Sequence, residues 1–249
     1  MKRNLAAGFA LLFLLVVSGC EAVSEAQRIV DKAMLAHGSA QLQQQALAFD
    51  FRDKHYTYTR KDHGFLYTRS FTDSTGVVED FLSHEGFYRL IDGDTAQQSQ
   101  ERIKAFSNSI NSVIYFALLP YGLNDAAVNK IYLGQSTLEG EEYHRIGITF
   151  DEEGGGEDFE DEFLYWINTE TYTMDYLAYS YQTEGGGLRF RKAINPRIIA
   201  GIRFQDYINY KPKNKDIPLD SLEALFRAGA LEEMSRIELQ NIEVKPVSL

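Results

Sequence analysis

The sequence predicts a mainly antiparallel β protein with a few helices, in which a strongly curved sheet forms an incomplete β-barrel wrapped around the helices. Three observations carry this reading. From Ala46 to Gly93, and again from Glu162 to Tyr210, aromatic and β-branched residues alternate with polar ones at a period of two. Turn letters such as His63-Gly64, Ser74-Thr75-Gly76, Glu85-Gly86 and Glu139-Gly140 fall at strand-length intervals, without the helical crossovers that parallel pairing needs. One long amphipathic helix is present, and its apolar stripe must lie against the sheet.

The chain begins with a segment that does not belong to the fold. Lys2 and Arg3 form a basic head, and Leu5 to Val17 form an apolar run shorter than the roughly 20 residues a spanning helix needs. Val17-Ser18-Gly19-Cys20 then matches the lipobox of bacterial lipoproteins, which implies a signal peptide over 1–19 and lipidation of Cys20. Cys20 is the only cysteine, so the exported domain carries no disulfide and no thiol nucleophile. Residues 20–249 have the length of one β-rich domain.

The elements follow in order. Ser24-Glu25-Ala26-Gln27 reads as an N-cap and capping box opening a helix, which ends at His37-Gly38 with the glycine left-handed. His37 is expected as a last-turn residue favoured by the helix dipole. Strands follow around Phe49–Phe51 and Tyr56–Arg60, then over Phe65–Phe71, Val77–Ser83 and Phe87–Asp92. The long helix spans Ser99–Leu119, with Ile103, Phe106, Ile110, Val113, Ile114 and Leu118 as its stripe and Pro120 as its stop. Val128–Leu138 and Glu141–Asp151 form a hairpin. Four strands then occupy Glu162–Tyr210, and a short helix (Leu219–Ala228) and a last strand (Arg236–Val244) close the chain.

The four-strand stretch holds the candidate site. By parity, Leu188, Phe190 and Ile194 share one face of their strand, as do Ile198, Ile202, Phe204 and Ile208 at the next. The other parity carries Arg189, Arg191, Arg197, Arg203 and Tyr207. A three-residue loop at Glu184-Gly185-Gly186 would set Tyr181 opposite Arg189 and Tyr179 opposite Arg191. Arginine planes stack on tyrosine and hold carboxylate or phosphate bidentately, so Tyr179, Tyr181, Arg189, Arg191 and Arg203 are candidate ligand-binding residues. The alternative is that these arginines pair with Asp161, Asp175 or Asp206, or simply lie solvated.

Other chemistry is poorly represented. The acidic stretch Asp151–Asp161 carries enough carboxylates for a calcium ion but lacks EF-hand spacing, and reads as a solvated loop. Histidines 37, 55, 63, 84 and 144 are dispersed, with no zinc spacing, nucleophile elbow or phosphate loop. No metal, cofactor or catalytic residue is assigned. The formal charge is −11; removing Lys2 and Arg3 leaves 23 basic against 36 acidic residues, or −13. Such a surface repels nucleic acid and anionic headgroups, so membrane attachment is expected through lipid on Cys20. Sixteen Phe and 15 Tyr give either a dense core or the lining of an apolar cavity.

Several segments carry a resemblance: His37-Gly38, LPYGLND at 119–125, GGG at 154–156, DEFLYW at 161–166, DYLAYSY at 175–181, GLRFRKAIN at 187–195 and GIRFQDYINY at 201–210. In these the chain resembles a family of uncharacterised lipoproteins from Gram-negative bacteria of the Bacteroidota type. Its fold is similar to the LolA/LolB lipoprotein carriers, half-barrels that hold acyl chains between sheet and helices. The resemblance implies a periplasmic or outer-membrane location and a hydrophobic or amphipathic ligand, without catalysis. Two other functions stay open: a cell-envelope module with a filled core that recognises protein or glycan, and a carboxylate-dependent hydrolase. Oligomeric state is not legible.

Overall fold

The structure, a computed structural model, describes residues 23–247 except 62–63, 155, 157 and 183–184. The expected signal peptide, the lipidation site Cys20, and His63, Glu157 and Glu184 lie outside the described residues.

Helix α1 (Glu25–Ala36) starts where Ser24 accepts the Gln27 amide at 3.1 Å. The reciprocal half of the capping box does not form. The Gln27 side chain donates instead to Asp31 and Asn124, each at 2.7 Å, and ties the helix to a later loop. Ala26, Ile29, Val30 and Ala33 are its buried face. Gly38 is left-handed at φ 69°, and a Cβ there would stand 1.9 Å from the Gly201 carbonyl oxygen, so only glycine fits.

His37 corrects the expectation from the helix dipole. It is the C-cap residue but is 2 % exposed, and its Nε2 accepts the Met174 amide at 3.0 Å. Burial, and secondarily the Arg203 charge, push its pKa down to about 3, so the ring is a neutral acceptor.

Among the described residues there are 14 strands, in two seven-stranded antiparallel sheets that are not closed into a barrel. The first contains β1 (Gln45–Phe51), β2 (Lys54–Lys61), β3 (Gly64–Asp73), β4 (Gly76–Ser83), β5 (Gly86–Ile91) and the two-residue β6 (Asp94–Thr95). The second contains β7 (Val128–Leu138), β8 (Glu141–Phe150), β9 (Glu162–Asn168), β10 (Met174–Tyr181), β11 (Gly187–Ile199) and β12 (Ile202–Lys211). The expected last strand is two strands. β13 (Glu232–Ile237) pairs with β12, and β14 (Leu239–Pro246) pairs with β1. The chain thus changes sheets at Glu238. There Asp206 accepts the Leu239 amide at 3.0 Å, and Arg197 donates to both Asp206 (2.9 Å) and the Leu239 carbonyl (2.7 Å).

Helix α2 (Gln100–Leu118) lies between the sheets, capped by Ser99. Ile110, Ile114 and Leu118 pack on Leu47, Phe49, Tyr56 and Tyr58 of the first sheet, each contributing about 1.5–3 kcal/mol through burial. Tyr115 and Phe116, outside the expected stripe, turn to Phe163 and Tyr165 of the second sheet. Among the described residues no helix is long and apolar enough to cross a membrane.

Two-residue turns at 74–75 and 84–85 fix the β3–β4 and β4–β5 registers, placing Arg69, Asp80 and Arg89 in one cross-strand row. Asp80 is fully buried. It accepts from Arg69 at 2.6 and 2.9 Å and from Arg89 at 2.6 and 3.0 Å. Arg69 also donates to Ser109 (3.0 Å), and Arg89 stacks 3.8 Å over Phe106. This ionic row therefore anchors the first half of α2 to the first sheet.

The middle strands of the second sheet are covered on both faces. Leu188 and Phe190 pack with Trp166 and Tyr176 under α3 (Ser221–Arg227), whose Leu222 and Phe226 cover them. The arginine–tyrosine parity faces α2. Two expectations about faces fail for one reason. A bulge at Asn195-Pro196, with Asn195 at φ 50°, shifts the β11 register, so Ile194 pairs with Asp206 but Arg197 with Phe204. Beyond it Ile198, expected on the next strand with Ile202, still belongs to β11, pairs with Arg203 and is 72 % exposed instead of core, and Arg197 leaves the layer for the sheet junction. Ile202 and Phe204 join the core of the first sheet, not that of Phe190.

Candidate ligand-binding site

Between α2 and the second sheet lies a cavity of about 890 Å³. Ligand sites in proteins commonly occupy roughly 300–1,000 Å³. Its floor is the inward face of five neighbouring strands: Phe163 from β9, Tyr179 and Tyr181 from β10, Arg189 and Arg191 from β11, Gln205, Tyr207 and Asn209 from β12, and Met234 and Ile237 from β13. Helix α2 supplies Lys104, Ala105, Asn108, Ser112, Tyr115 and Phe116 opposite. Phe51, Phe150, Asp158 and Asp161 close the ends.

Four of the five predicted residues converge here. The strands reach this arrangement by a register other than the expected one. Tyr181 pairs with Gly187 and Tyr179 with Arg189, so the connection spans residues 182–186 and not three. A shift of two keeps every side chain on its face, and the long side chains reach diagonally. Arg189 Nη2 donates to the Tyr181 hydroxyl at 2.6 Å and stacks 5.0 Å from its ring. Arg191 Nη2 donates to the Tyr179 hydroxyl at 2.8 Å.

Arg191 is the most enclosed of the four, at 7 % exposure. Its guanidinium carbon stands 3.8 Å from the centre of the Phe116 ring, and its buried Nε has no hydrogen-bond partner. Tyr179, Phe116 and Phe163 form a continuous aromatic surface beside it, with Phe163 and Tyr179 stacked at 5.4 Å.

Arg203 does not join them. It lies farther along β12, outside the cavity lining, with Asp175 at 3.7 Å and Gln205 at 3.3 Å. Of the carboxylates expected as alternative partners, Asp175 takes Arg203 and Asp206 takes Arg197. None of the ion pairs among the described residues involves Arg189 or Arg191.

The other polar groups of the site are tuned by burial. Tyr115 and Tyr165 share a 2.7 Å hydroxyl bond, and the Tyr207 hydroxyl accepts from Gln205 at 2.8 Å. Burial raises the pKa of all three phenols, which stay protonated. Asp161, half-buried and close to Asp158, is pushed up to about 6. Among the described residues no three His, Cys, Asp or Glu side chains converge where a metal ion could sit.

Sequence reasoning missed Phe116, Phe163 and Asp161 as site residues. Phe116 follows Tyr115 on the flank of α2, and this second apolar pair beside the main stripe was the available signal for a helix contacting two surfaces. Asp161 was expected only as a carboxylate partner for the arginines, a role it does not take in the ion pairs of the described residues.

Comparison with solved structures supports the fold. The chain is similar to a LolA superfamily protein from Nitrosomonas europaea, with a TM-score of 0.53 at 13% identity over 92% of this chain and 96% of that one. It is equally similar to a DUF1329 family protein from Desulfovibrio piger, with a TM-score of 0.53 at 11% identity over 91% and 95%. No curated protein matches it in sequence. By sequence, residues 7–239 match the model of one family, and the chain belongs to that family, DUF6503, a family of unknown function.

Proposed function

We propose that the protein is a cell-envelope lipoprotein, tethered through Cys20, that holds a hydrophobic or amphipathic ligand in the cavity between α2 and the second sheet, without catalysis. The carrying observation is the cavity itself. About 890 Å³ of space lies between the long helix and the aromatic floor of Phe163, Tyr179 and Tyr207, where a surface-recognition module would be filled. An acyl chain entering it gains about 0.8 kcal/mol for each methylene removed from water. The likeness to a LolA superfamily structure supports the same reading of the fold, and the sequence resemblance supports a Bacteroidota-type envelope as its home.

The tether is short: four residues separate Cys20 from Glu25, the first residue of α1. Lipidation there would keep the domain at the bilayer surface.

Substitution of Ser112, which lines the cavity on α2, tests the ligand reading. Ser112→Trp fills the space from the helix side. In a variant with an unchanged melting temperature, the fluorescence of cis-parinaric acid seen with the parent should be lost. Equal binding of that probe to both proteins contradicts a site in this cavity.

A further inference from the structure

We infer that the polar end of the ligand is an oxyanion, a carboxylate or phosphate carried on an acyl chain, held by Arg191 and Arg189 together with the hydroxyls of Tyr179 and Tyr181. This rests on the cavity reading above and specifies the chemistry of its occupant.

Hydrogen-bond donors are in excess at this site. Strands of the second sheet carry four other arginines, and each has a carboxylate: Arg145 with Glu223, Arg197 with Asp206, Arg203 with Asp175 and Arg236 with Glu233. Arg189 and Arg191 have tyrosine oxygens instead, at 2.6 and 2.8 Å. A phenol that accepts from a guanidinium keeps its own proton as a donor, and neither hydroxyl has an acceptor among the hydrogen bonds of the described residues. Arg191 adds a buried Nε–H without a partner. The site thus offers two cations and at least three uncommitted donors on one face of two adjoining strands.

An acceptor-rich, negatively charged group satisfies that set, against which stands a single orphan acceptor, the buried Oδ1 of Asn209 across from Arg191. A neutral alcohol would satisfy one or two of the donors and leave both charges, and an ammonium would be repelled. Burying a cation without a counter-charge costs several kcal/mol, so an anion arriving here recovers energy that the folded protein has already spent. Placement distinguishes an amphiphile from a free anion. Phe116 and Phe163 pack against the Tyr179 ring, and the cavity extends past Tyr207 to Ile237. A headgroup at the arginines therefore leads its chain along apolar wall.

Titration of delipidated mature protein with dodecanoate, dodecan-1-ol and acetate separates the alternatives. Dodecanoate should bind at least about tenfold more tightly than the alcohol, the scale of charge-assisted hydrogen bonds. Acetate should show no saturable binding over the same range. Arg189→Gln, at a half-buried position, should reduce the preference for dodecanoate over the alcohol. Arg191→Gln should do so more strongly, and Tyr179→Phe, which deletes only a hydroxyl, provides the same readout if Arg191→Gln does not fold. Equal affinity for dodecanoate and dodecan-1-ol overturns the oxyanion and leaves the cavity reading standing. Acetate binding as tightly as dodecanoate overturns the amphiphile in favour of a free anion. If neither chain binds, the cavity reading fails and this inference with it.

Discussion

The Arg191 guanidinium on β11 lies over the Phe116 ring of α2, 3.8 Å from its carbon to the ring centre, in the wall of the cavity between helix and sheet. The contact joins the second sheet to a helix otherwise anchored to the first sheet by Ile110, Ile114 and the Arg69–Asp80–Arg89 row. Helix α2 is therefore held from both sides, firmly by the apolar core on one and by a few aromatic and cationic contacts on the other.

Phe116→Leu should lower stability by about 2 kcal/mol, because it leaves the guanidinium buried while removing the ring that stabilises it. Amides in the last two turns of α2 should exchange faster in the same variant. Arg191→Met should cost less, since it removes the buried charge along with the contact. Urea unfolding and hydrogen exchange measure both, and the reverse order of stabilities would refute this account of the contact.

Asp80 is expected to be the most sensitive polar position in the first sheet. Asp80→Asn leaves two buried guanidinium groups without a counter-charge and should cost about 3–5 kcal/mol. Replacing the whole row, with Arg69→Met, Asp80→Leu and Arg89→Met together, should cost far less than the single change. A triple variant weaker than Asp80→Asn would show that the row holds α2 by more than charge balance.

Two groups titrate in opposite senses. The folded pKa of Asp161, about 6, lies above its ordinary value of 3.8, so folding favours its proton. Its penalty is absent below about pH 4 and complete above 6, and Asp161→Asn should therefore stabilise at pH 7.5 with a gain that vanishes near pH 4. His37 is buried neutral at about 3 against 6.5. Its contribution is whole above pH 6.5 and is lost on acidification toward 3, at up to about 1.4 kcal/mol per pH unit. His37→Gln, which retains an acceptor for the Met174 amide, should flatten that acid limb. Urea midpoints at pH 4.5, 6 and 7.5 read both effects.

The sequence made the strands, helix caps and arginine–tyrosine face legible because each depends on local spacing. Ser24 and Ser99 announce their helices, and Glu139-Gly140, both left-handed, turn the β7–β8 hairpin where expected. What was not legible depended on a single residue of register. The Asn195-Pro196 bulge carried Arg197 and Ile198 off their predicted faces. The ionic row was recoverable in principle, since turns at 74–75 and 84–85 align Arg69, Asp80 and Arg89. Placing those turns one residue later, on Gly76 and Gly86, hides it. The division into two sheets rests on Asp206 and Arg197 gripping Leu239 from about 40 residues away in sequence, beyond the reach of any local pattern.

Native mass spectrometry of the mature protein isolated from its own cell envelope addresses the central claim most directly. A discrete added mass of an anionic acyl lipid is expected, lost on delipidation and absent from Ser112→Trp. Isolation of the parent, like the variant, at the mass of its own polypeptide and anchor alone, with no added lipid, would contradict it.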